Sequence, residues 1–282
     1  MADSNWSKNG LSVLSGDVLI LYKALDRLFL RWATEEFQAK EYLFPTFINA
    51  QDLGKISYFT SFPHLATFPI SLMLEDDNLK RFIEGKPLSL EGEIKLTATN
   101  PIREVLTPAA CYHLYIYLQN TDFSSTAYFT TVNNCFRQET HYLPLQRQWN
   151  FHMREVVCFG SQKVVAAFLE NAREKLSKFC IELGLPIEWL IATDPFFAPE
   201  QNPKYIAQIV DPTKMEMIFQ NLSIGSTNLH RDYFGKNFNI SLNGENIHSA
   251  CVAFGLERWI YAFIKQFGDR KQDWYDLNLI TI

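Results

Sequence analysis

The chain has no paired cysteines. Its five, Cys111, Cys135, Cys158, Cys180 and Cys251, are odd in number, dispersed and free of any CxxC spacing. They read as reduced thiols of a cytoplasmic protein rather than as a disulfide framework. The opening MADSNWSKNG carries no apolar stretch of the kind a secretory leader needs, and no segment approaches the ~18 uninterrupted apolar residues of a transmembrane helix. Internal repeats, low-complexity runs and long Gly/Ser linkers are also lacking. So is any basic excess: the net charge of −5 argues against a large nucleic-acid footprint, while leaving room for a local basic patch. What these absences leave is a soluble cytoplasmic protein of 282 residues, one large domain or two modest ones.

What is present is an apolar, aromatic chain. Hydrophobic residues make up 47% and aromatics 15%, with 23 Phe, a composition suited to sheet-rich packing and deep pockets. Residues 16–40 carry apolar side chains at helical spacing and predict a long amphipathic helix. Residues 41–68, with Pro45 and Pro63 among aromatics, predict loop and short strand. The alternation in LSLEGEIKL (88–96) suggests a strand pair. Between 111 and 160 the runs YHLYIYL, YFTTVNNCF and FHMREVVCF are β-branched and aromatic, and predict strands of an antiparallel sheet. Residues 161–184 predict an amphipathic helix ending at a glycine, and residues 204–242 return to strand character. The fold class is α+β, an antiparallel sheet flanked by helices.

Two stretches carry chemistry. In GENIHSACVAFGLERWIYAF (244–263), which closes the sheet as strand, turn and helix, most residues suit the buried face of a helix. Cys251 and Arg258 interrupt it seven residues apart, close to two helical turns. That spacing would project both from one face, with Gly255 leaving the face bare between them. In CFRQETHYLPLQRQWNFHMREVVCFG (135–160), two strands flank a polar loop. Arg137 and Glu139 would face one side, whereas the adjacent Arg154 and Glu155 would face opposite sides. Charges inside apolar strands need partners or ligands. Ion pairs across the hairpin are one answer; the other is a phosphate, whose oxygens suit the planar Arg fork.

Together these stretches resemble the second and third signature motifs of class II aminoacyl-tRNA synthetases: Phe136-Arg137-Gln138-Glu139, then Phe151-His152-Met153-Arg154-Glu155, then Gly255-Leu256-Glu257-Arg258. A first-motif candidate lies around Phe44-Pro45. YFTSFPHLATF (58–68), DPFF (194–197), Lys214-Met215-Glu216 and SIGSTNLHRDYFGKNFNI (223–240) fit the same family, so the resemblance runs from about residue 40 to residue 265. A narrower likeness is to the branch that holds zinc with Cys, Glu and Cys, comprising the methanogen-type seryl-tRNA synthetases and the small amino acid:[carrier protein] ligases. The matching positions here are Cys111, Glu155 and Cys251. Cys135 and Cys158 could bind zinc by residue type, but they fall at no family position, and His248 fits a turn or supporting role.

The resemblance implies a 1–40 helical segment before a 41–282 catalytic domain, activation of an amino acid by ATP, and a homodimer formed through the first motif. Arg137 would clamp the α-phosphate and Arg258 the γ-phosphate, with adenine between Phe151 and Arg258. Glu139 would accept from the adenine amino group, and Arg147 and Gln148 would reach the nucleotide from the loop. The run Leu222, Ser223, Ile224 and Gly225 would approach it by backbone. Mg²⁺ would bridge the phosphates. Zinc on Cys111, Glu155 and Cys251 would fix the substrate's amino group in its open fourth position, so Glu155 is also a substrate-site residue.

The chain has room only for the 16–40 helix ahead of the catalytic domain, which with the acidic charge balance favours the carrier-protein ligases over tRNA charging. Glycine or alanine loaded on a phosphopantetheine thiol is the expected reaction. Transfer to tRNA or to a small-molecule amine, or a non-catalytic binding module, are the competing readings; the presence of both motif arginines, Glu139 and all three candidate zinc ligands argues against the last. Lys163, Arg173, Lys175 and Lys178 on the 161–184 helix are candidates for carrier docking, or simply its solvated face.

Overall fold

The computed structural model describes residues 4–6, by their backbone, and residues 10–277 and 280–282. Residues 1–3 and 7–9 of the N-terminal 1–40 segment lie outside the described residues. The centre is a seven-stranded sheet. Its strands in chain order are β1 (Lys40–Tyr42), β2 (Ala127–Phe136), β3 (Asn150–Gly160), β4 (Glu188–Ala192), β5 (Lys214–Phe219), β6 (Leu222–Arg231) and β7 (His248–Gly255). In space they run β1-β2-β3-β7-β6-β5-β4, and every neighbouring pair is antiparallel except β1 with β2. This is the α+β class expected from the sequence.

Six helices matter to the site: α1 (Gly16–Phe37), α2 (Tyr112–Tyr117), α3 (Gln162–Leu183), α4 (Pro203–Val210), α5 (Tyr233–Phe238) and α6 (Leu256–Phe267). The two central strands, β3 and β7, are buried on both faces over residues 154–160 and 249–254. Alternate side chains therefore enter two different cores. Val156, Ala250, Val252 and Phe254 pack with α1, α3 and α6, whereas Val157, Phe159 and Cys251 pack with α2 and α5. The first core is aromatic: Phe29 of α1 stacks on Phe254 with centroids 3.9 Å apart, and Trp259 of α6 meets Phe29 edge-on at 5.0 Å. Burying each such ring contributes about 1.5–3 kcal/mol.

The helices predicted over 16–40 and 161–184 both form. α1 stops earlier than expected, at Phe37, because Gln38 turns left-handed (φ 52°) and Lys40 enters the sheet beside β2. α3 begins at Ser161, whose hydroxyl accepts from Val164 N, and ends at Gly184 in the left-handed conformation (φ 74°).

Other expectations are corrected. YHLYIYL is not a strand but helix α2. Cys111, Leu114, Tyr115 and Leu118 share its buried side while Tyr117 faces solvent, a period near 3.6 that its β-branched and aromatic composition conceals. LSLEGEIKL forms a turn closed by the single bridge Leu88↔Ile94 rather than a strand pair. Residues 41–68 hold short strands as expected, but also the helices Ala50–Lys55 and Tyr58–Ser61. Residues 204–242 combine β5 and β6 with α4 and α5. Cys251 and Arg258 do not share a helical face: Cys251 lies in β7, and the helix begins only at Leu256.

Candidate active site

The face of the sheet turned away from α1 and α3 floors a cavity of about 410 Å³. Along β3 the side chains of Phe151, Met153 and Glu155 alternate into it. At about 3.3 Å per residue, they form a line roughly 13 Å long from one end of the cavity to its depth. Arg154, between them, points the other way. It is 1% exposed, and its guanidinium pairs with Asp26 of α1 (2.5 and 3.0 Å) and Glu41 of β1 (3.1 Å). The strand alternation expected for Arg154 and Glu155 is the one observed. Arg154 is a structural tie, and Glu155 belongs to the cavity.

Glu155 meets two thiols. Cys111 sits at the N-terminal edge of α2 and Cys251 on β7, and the donor atoms of all three residues lie within 4.8 Å of one another. All three are buried. The Cys111 N–H donates to Glu155 Oε1 at 3.2 Å, and the Asn228 side chain donates to Cys251 Sγ at 3.4 Å. The Cys111 thiol is held well above its ordinary pKa by the hydrogen bond with Cys251, by burial and by the Glu155 charge. At Cys251 the hydrogen bond with Cys111 favours the thiolate, but burial and Glu155 outweigh it and the pKa rises. Crowding two sulfurs and a carboxylate in a buried site is costly unless a cation joins them, and a bound divalent ion reverses this balance by deprotonating a coordinating thiol outright. The donor set fits a metal ion. Cys135 and Cys158, also buried, lie elsewhere: Cys135 Sγ faces the Asn133 carbonyl, and Cys158 belongs to the core beneath α3.

At the other end stand three arginines. Arg137 follows β2 and donates to the Pro108 carbonyl at 2.9 Å, with its guanidinium 5.3 Å from the centroid of the Phe151 ring. Arg147 pairs with Glu139 at 2.6 Å. Arg258, in the first turn of α6, donates to the carbonyls of Gln146 (2.7 Å) and Ser223 (2.9 Å), and so ties the 137–149 loop to β6. Burial, with Arg137 and Arg147 close by, pushes the Arg258 pKa down to about 10. Three guanidiniums held together against their mutual repulsion form a natural receptor for a polyanion.

The remaining expected residues divide. Ser223, Ile224 and Gly225 line the cavity, and the Ile224 side chain is buried in the core, so only its backbone is available there. Gly225 is required by close approach, since a Cβ there would lie 2.9 Å from the Ala253 carbonyl. Leu222 packs its side chain against the core beneath the sheet, as Ile224 does, and is not a cavity-lining residue. Gln148 lines the cavity, but its amide is committed to holding the loop. It accepts from Ser12 Oγ and Leu145 N and donates to the Asn150 carbonyl. The guanidinium over Phe151 is that of Arg137, while Arg258 is held by the carbonyls of Gln146 and Ser223.

Glu257 of the third motif receives the His152 N–H at 2.9 Å and bonds His152 Nδ1 at 2.7 Å. Burial opposes charging His152, but this carboxylate prevails and raises its pKa. On α3, Lys175 pairs with Glu36 and Arg173 donates to Thr227; that helix covers the sheet face opposite the cavity. His248, at the edge of β7, opposes Gly160 and stands apart from the Cys–Glu–Cys group. One residue was not singled out from sequence at all. His230 of β6 places Nε2 3.6 Å from Cys251 Sγ. Only strand alternation from Asn228 could have put it there, and a register shift in β6 between Leu229 and Arg231 obscures that alternation.

A mostly antiparallel sheet with motif arginines at one end of its cavity and a metal-type donor set at the other defines a class II synthetase-type core. Residues 99–267 match the family model of the tRNA synthetase class II core domain (G, H, P, S and T). The chain is 30% identical over 240 residues to amino acid–[acyl-carrier-protein] ligase 1 of Bradyrhizobium diazoefficiens, covering 82% of this chain and 72% of that one. It is 32% identical over 238 residues to ligase 2 of the same organism, covering 80% and 69%. Against the type-2 serine–tRNA ligase of Methanocaldococcus jannaschii identity is 23%, over 92% of this chain but 53% of the relative, so the chain spans about half of that protein. Among solved structures, the M. kandleri SerRS bound to A. aeolicus tRNASec superposes with a TM-score of 0.80 at 17% identity, covering 97% of this chain and 56% of that one. The chain belongs to the class II synthetase family and, within it, to the amino acid–[acyl-carrier-protein] ligases, and is thus an amino-acid-activating ligase.

Proposed function

We propose that the protein activates a small amino acid, glycine or alanine, with ATP and transfers it to the phosphopantetheine thiol of a carrier protein. The observation that carries this reading is the single cavity joining the arginine cluster to the Cys111–Glu155–Cys251 group along one strand. The two Bradyrhizobium relatives, named as amino acid–[acyl-carrier-protein] ligases, support the acceptor. A carboxylate oxygen of the amino acid attacks the α-phosphorus, the bond to the bridging oxygen breaks, and pyrophosphate leaves. Arg137 stabilises the charge that builds at phosphorus, and Arg258 and Arg147 hold the leaving phosphates, an arrangement that works by positioning and electrostatics. Phe151 offers its face to adenine and Glu139 accepts from the adenine amino group; Mg²⁺, bound with the nucleotide, would offset phosphate charge. The acceptor's sulfur then attacks the carbonyl carbon of the mixed anhydride, giving up its proton as AMP leaves.

Two sulfurs and one carboxylate oxygen suit zinc, and three protein ligands leave the open position of a catalytic site. Bound there, zinc supplies a Lewis-acid anchor for an amino group. Tyr58, Tyr112 and Phe234 line the cavity beside it, bulky walls that favour a small side chain. A reducing cytoplasm is the setting such a site needs, because two of its donors are thiols; no helix among the described residues is long and apolar enough to cross a membrane.

The test is ATP–pyrophosphate exchange on zinc-replete protein with each amino acid, followed by transfer to phosphopantetheinylated carrier protein and to tRNA. Exchange with glycine or alanine and loading of the carrier are expected. Exchange that leads only to tRNA charging would overturn the acceptor, and no exchange at all would overturn the activation step.

A homodimer is part of the same reading. From residue 67 to residue 104 the one buried residue is Asn78, which bonds the backbone of Met73 and Ala98, while Leu74, Ile83, Leu88, Leu90 and Ile94 are exposed. An arm without a core of its own and with this much exposed apolar surface suits burial against a second copy. Leu74→Lys with Leu90→Lys is expected to weaken the dimer by roughly 100-fold or more, given about 1.5–3 kcal/mol per buried leucine. Light scattering on the eluting protein reads this directly, and a monomeric wild type would remove the dimer.

A further inference from the structure

We infer that His230 is a positioning residue of the metal centre: it donates from Nε2 to the Cys251 sulfur and fixes that sulfur as a ligand. The inference rests on the zinc reading above and names a residue that the class II motifs do not contain. Cys251 Sγ has two neighbours on β6. Asn228, its partner in register, donates from Nδ2 at 3.4 Å, and His230 Nε2 stands at 3.6 Å. Two residues apart on one strand, they address the sulfur from one wall.

His230 is not itself a fourth ligand. The group of donor atoms within 4.8 Å of one another comprises Cys111, Glu155 and Cys251 only, among the described residues. The imidazole therefore stands behind the sulfur and leaves the open position free for substrate.

The sulfur sets the ring's tautomer: a metal-bound Cys251 thiolate only accepts, so the ring proton sits on Nε2 and faces it. Nδ1 is then the acceptor, 2.8 Å from the Tyr115 oxygen and 3.4 Å from the Ser249 hydroxyl; Tyr115 donates to Ser249 at 3.2 Å, which leaves the Ser249 proton for Nδ1. The opposite tautomer would set a nitrogen lone pair against the lone pairs of a thiolate. Packing locks the ring plane as well: Phe234 meets it edge-on at 4.9 Å and Tyr115 at 5.8 Å. Hydrogen bonds of this kind orient metal ligands, and their loss typically costs about 10- to 100-fold in metal affinity.

The experiment is zinc competition against a chromophoric chelator with the full chain, paired with the thiolate-to-cobalt absorption band of the cobalt-loaded protein. His230→Leu, which keeps bulk but loses the donor, is expected to weaken zinc by about 10- to 100-fold and to shift the cobalt band. His230→Gln, whose amide can reach the same sulfur, should recover most of the affinity, and Tyr115→Phe should fall between them. A purely structural role would instead lower thermal stability in both His230 variants without moving the cobalt band. Wild-type zinc affinity in a folded His230→Leu protein, or in Tyr115→Phe with an unshifted band should the leucine variant not fold, would overturn the inference. A wild-type protein that takes up no zinc would overturn the metal reading, and this inference with it, before any variant is compared.

Discussion

Replacing Cys251 with alanine is expected to reduce amino-acid-dependent pyrophosphate exchange by on the order of 10³-fold, the several kcal/mol that a metal anchor supplies. Thermal stabilisation of the protein by ATP should survive. The separation follows from the layout of the cavity. Cys251 lies with Cys111 and Glu155 at one end, and the arginine cluster proposed to hold the nucleotide is at the other, four residues away along β3 from Glu155 to Phe151. Removing one thiol leaves two protein ligands, too few to keep zinc at working concentrations, and does not touch Arg137, Arg147 or Arg258. A chelator should reproduce the loss in the wild type, and added zinc should restore it. Cys158→Ala is the control, because that thiol lies in the core on the opposite face of the sheet and its loss should cost some stability but no zinc. Full exchange activity in Cys251→Ala would remove the metal from the reaction.

Why these three residues could be chosen from sequence, while their geometry could not, has a physical reason. Cys111, Glu155 and Cys251 sit on a helix edge and two strands whose proximity is created by the sheet order β2-β3-β7-β6. No spacing rule brings them together, and it was their neighbouring words that identified them. Glu155 was also legible by alternation, since its neighbour Arg154 had to point to the opposite face. Where local composition and tertiary packing disagreed, the reading failed. YHLYIYL has strand composition, but it folds as a helix because one side of it is needed to carry Cys111, Leu114 and Tyr115 into the second core. Cys251 and Arg258 share no helical face, because β7 runs unbroken to Gly255. His230 went unnoticed because β6 carries register shifts against both neighbours, at Met217/Ile218 with β5 and at Leu229/Arg231 with β7, and these obscure in the sequence the alternation that sets it beside Asn228.

Arg258→Ala is expected to lose 10²–10³-fold in adenylation, the usual cost of removing one preorganised charge donor, and most of its thermal stabilisation by ATP, without a matching loss of stability in the ligand-free protein. The two effects part because Arg258 is poorly placed until an anion arrives. It is half-buried, its pKa is pushed down to about 10 by desolvation, and two of the other groups responsible are the neighbouring cations Arg137 and Arg147. In the free protein its removal relieves that repulsion, which offsets the loss of its hydrogen bonds to Gln146 and Ser223. With a triphosphate present the same crowding becomes attraction shared among three guanidiniums. Wild-type protein should therefore gain about 2.7 kcal/mol at an ATP concentration 100 times its Kd, and the variant far less at the same concentration. Arg258→Lys should recover only part of the effect, because a point charge cannot hold two backbone carbonyls and a phosphate in one plane. Thermal melts of wild type and both variants, with and without ATP, separate this account from a plain structural one. If Arg258 served only to tie the loop to β6, the alanine variant would melt lower by the same amount in both conditions, and its residual activity would show an unchanged KM for ATP.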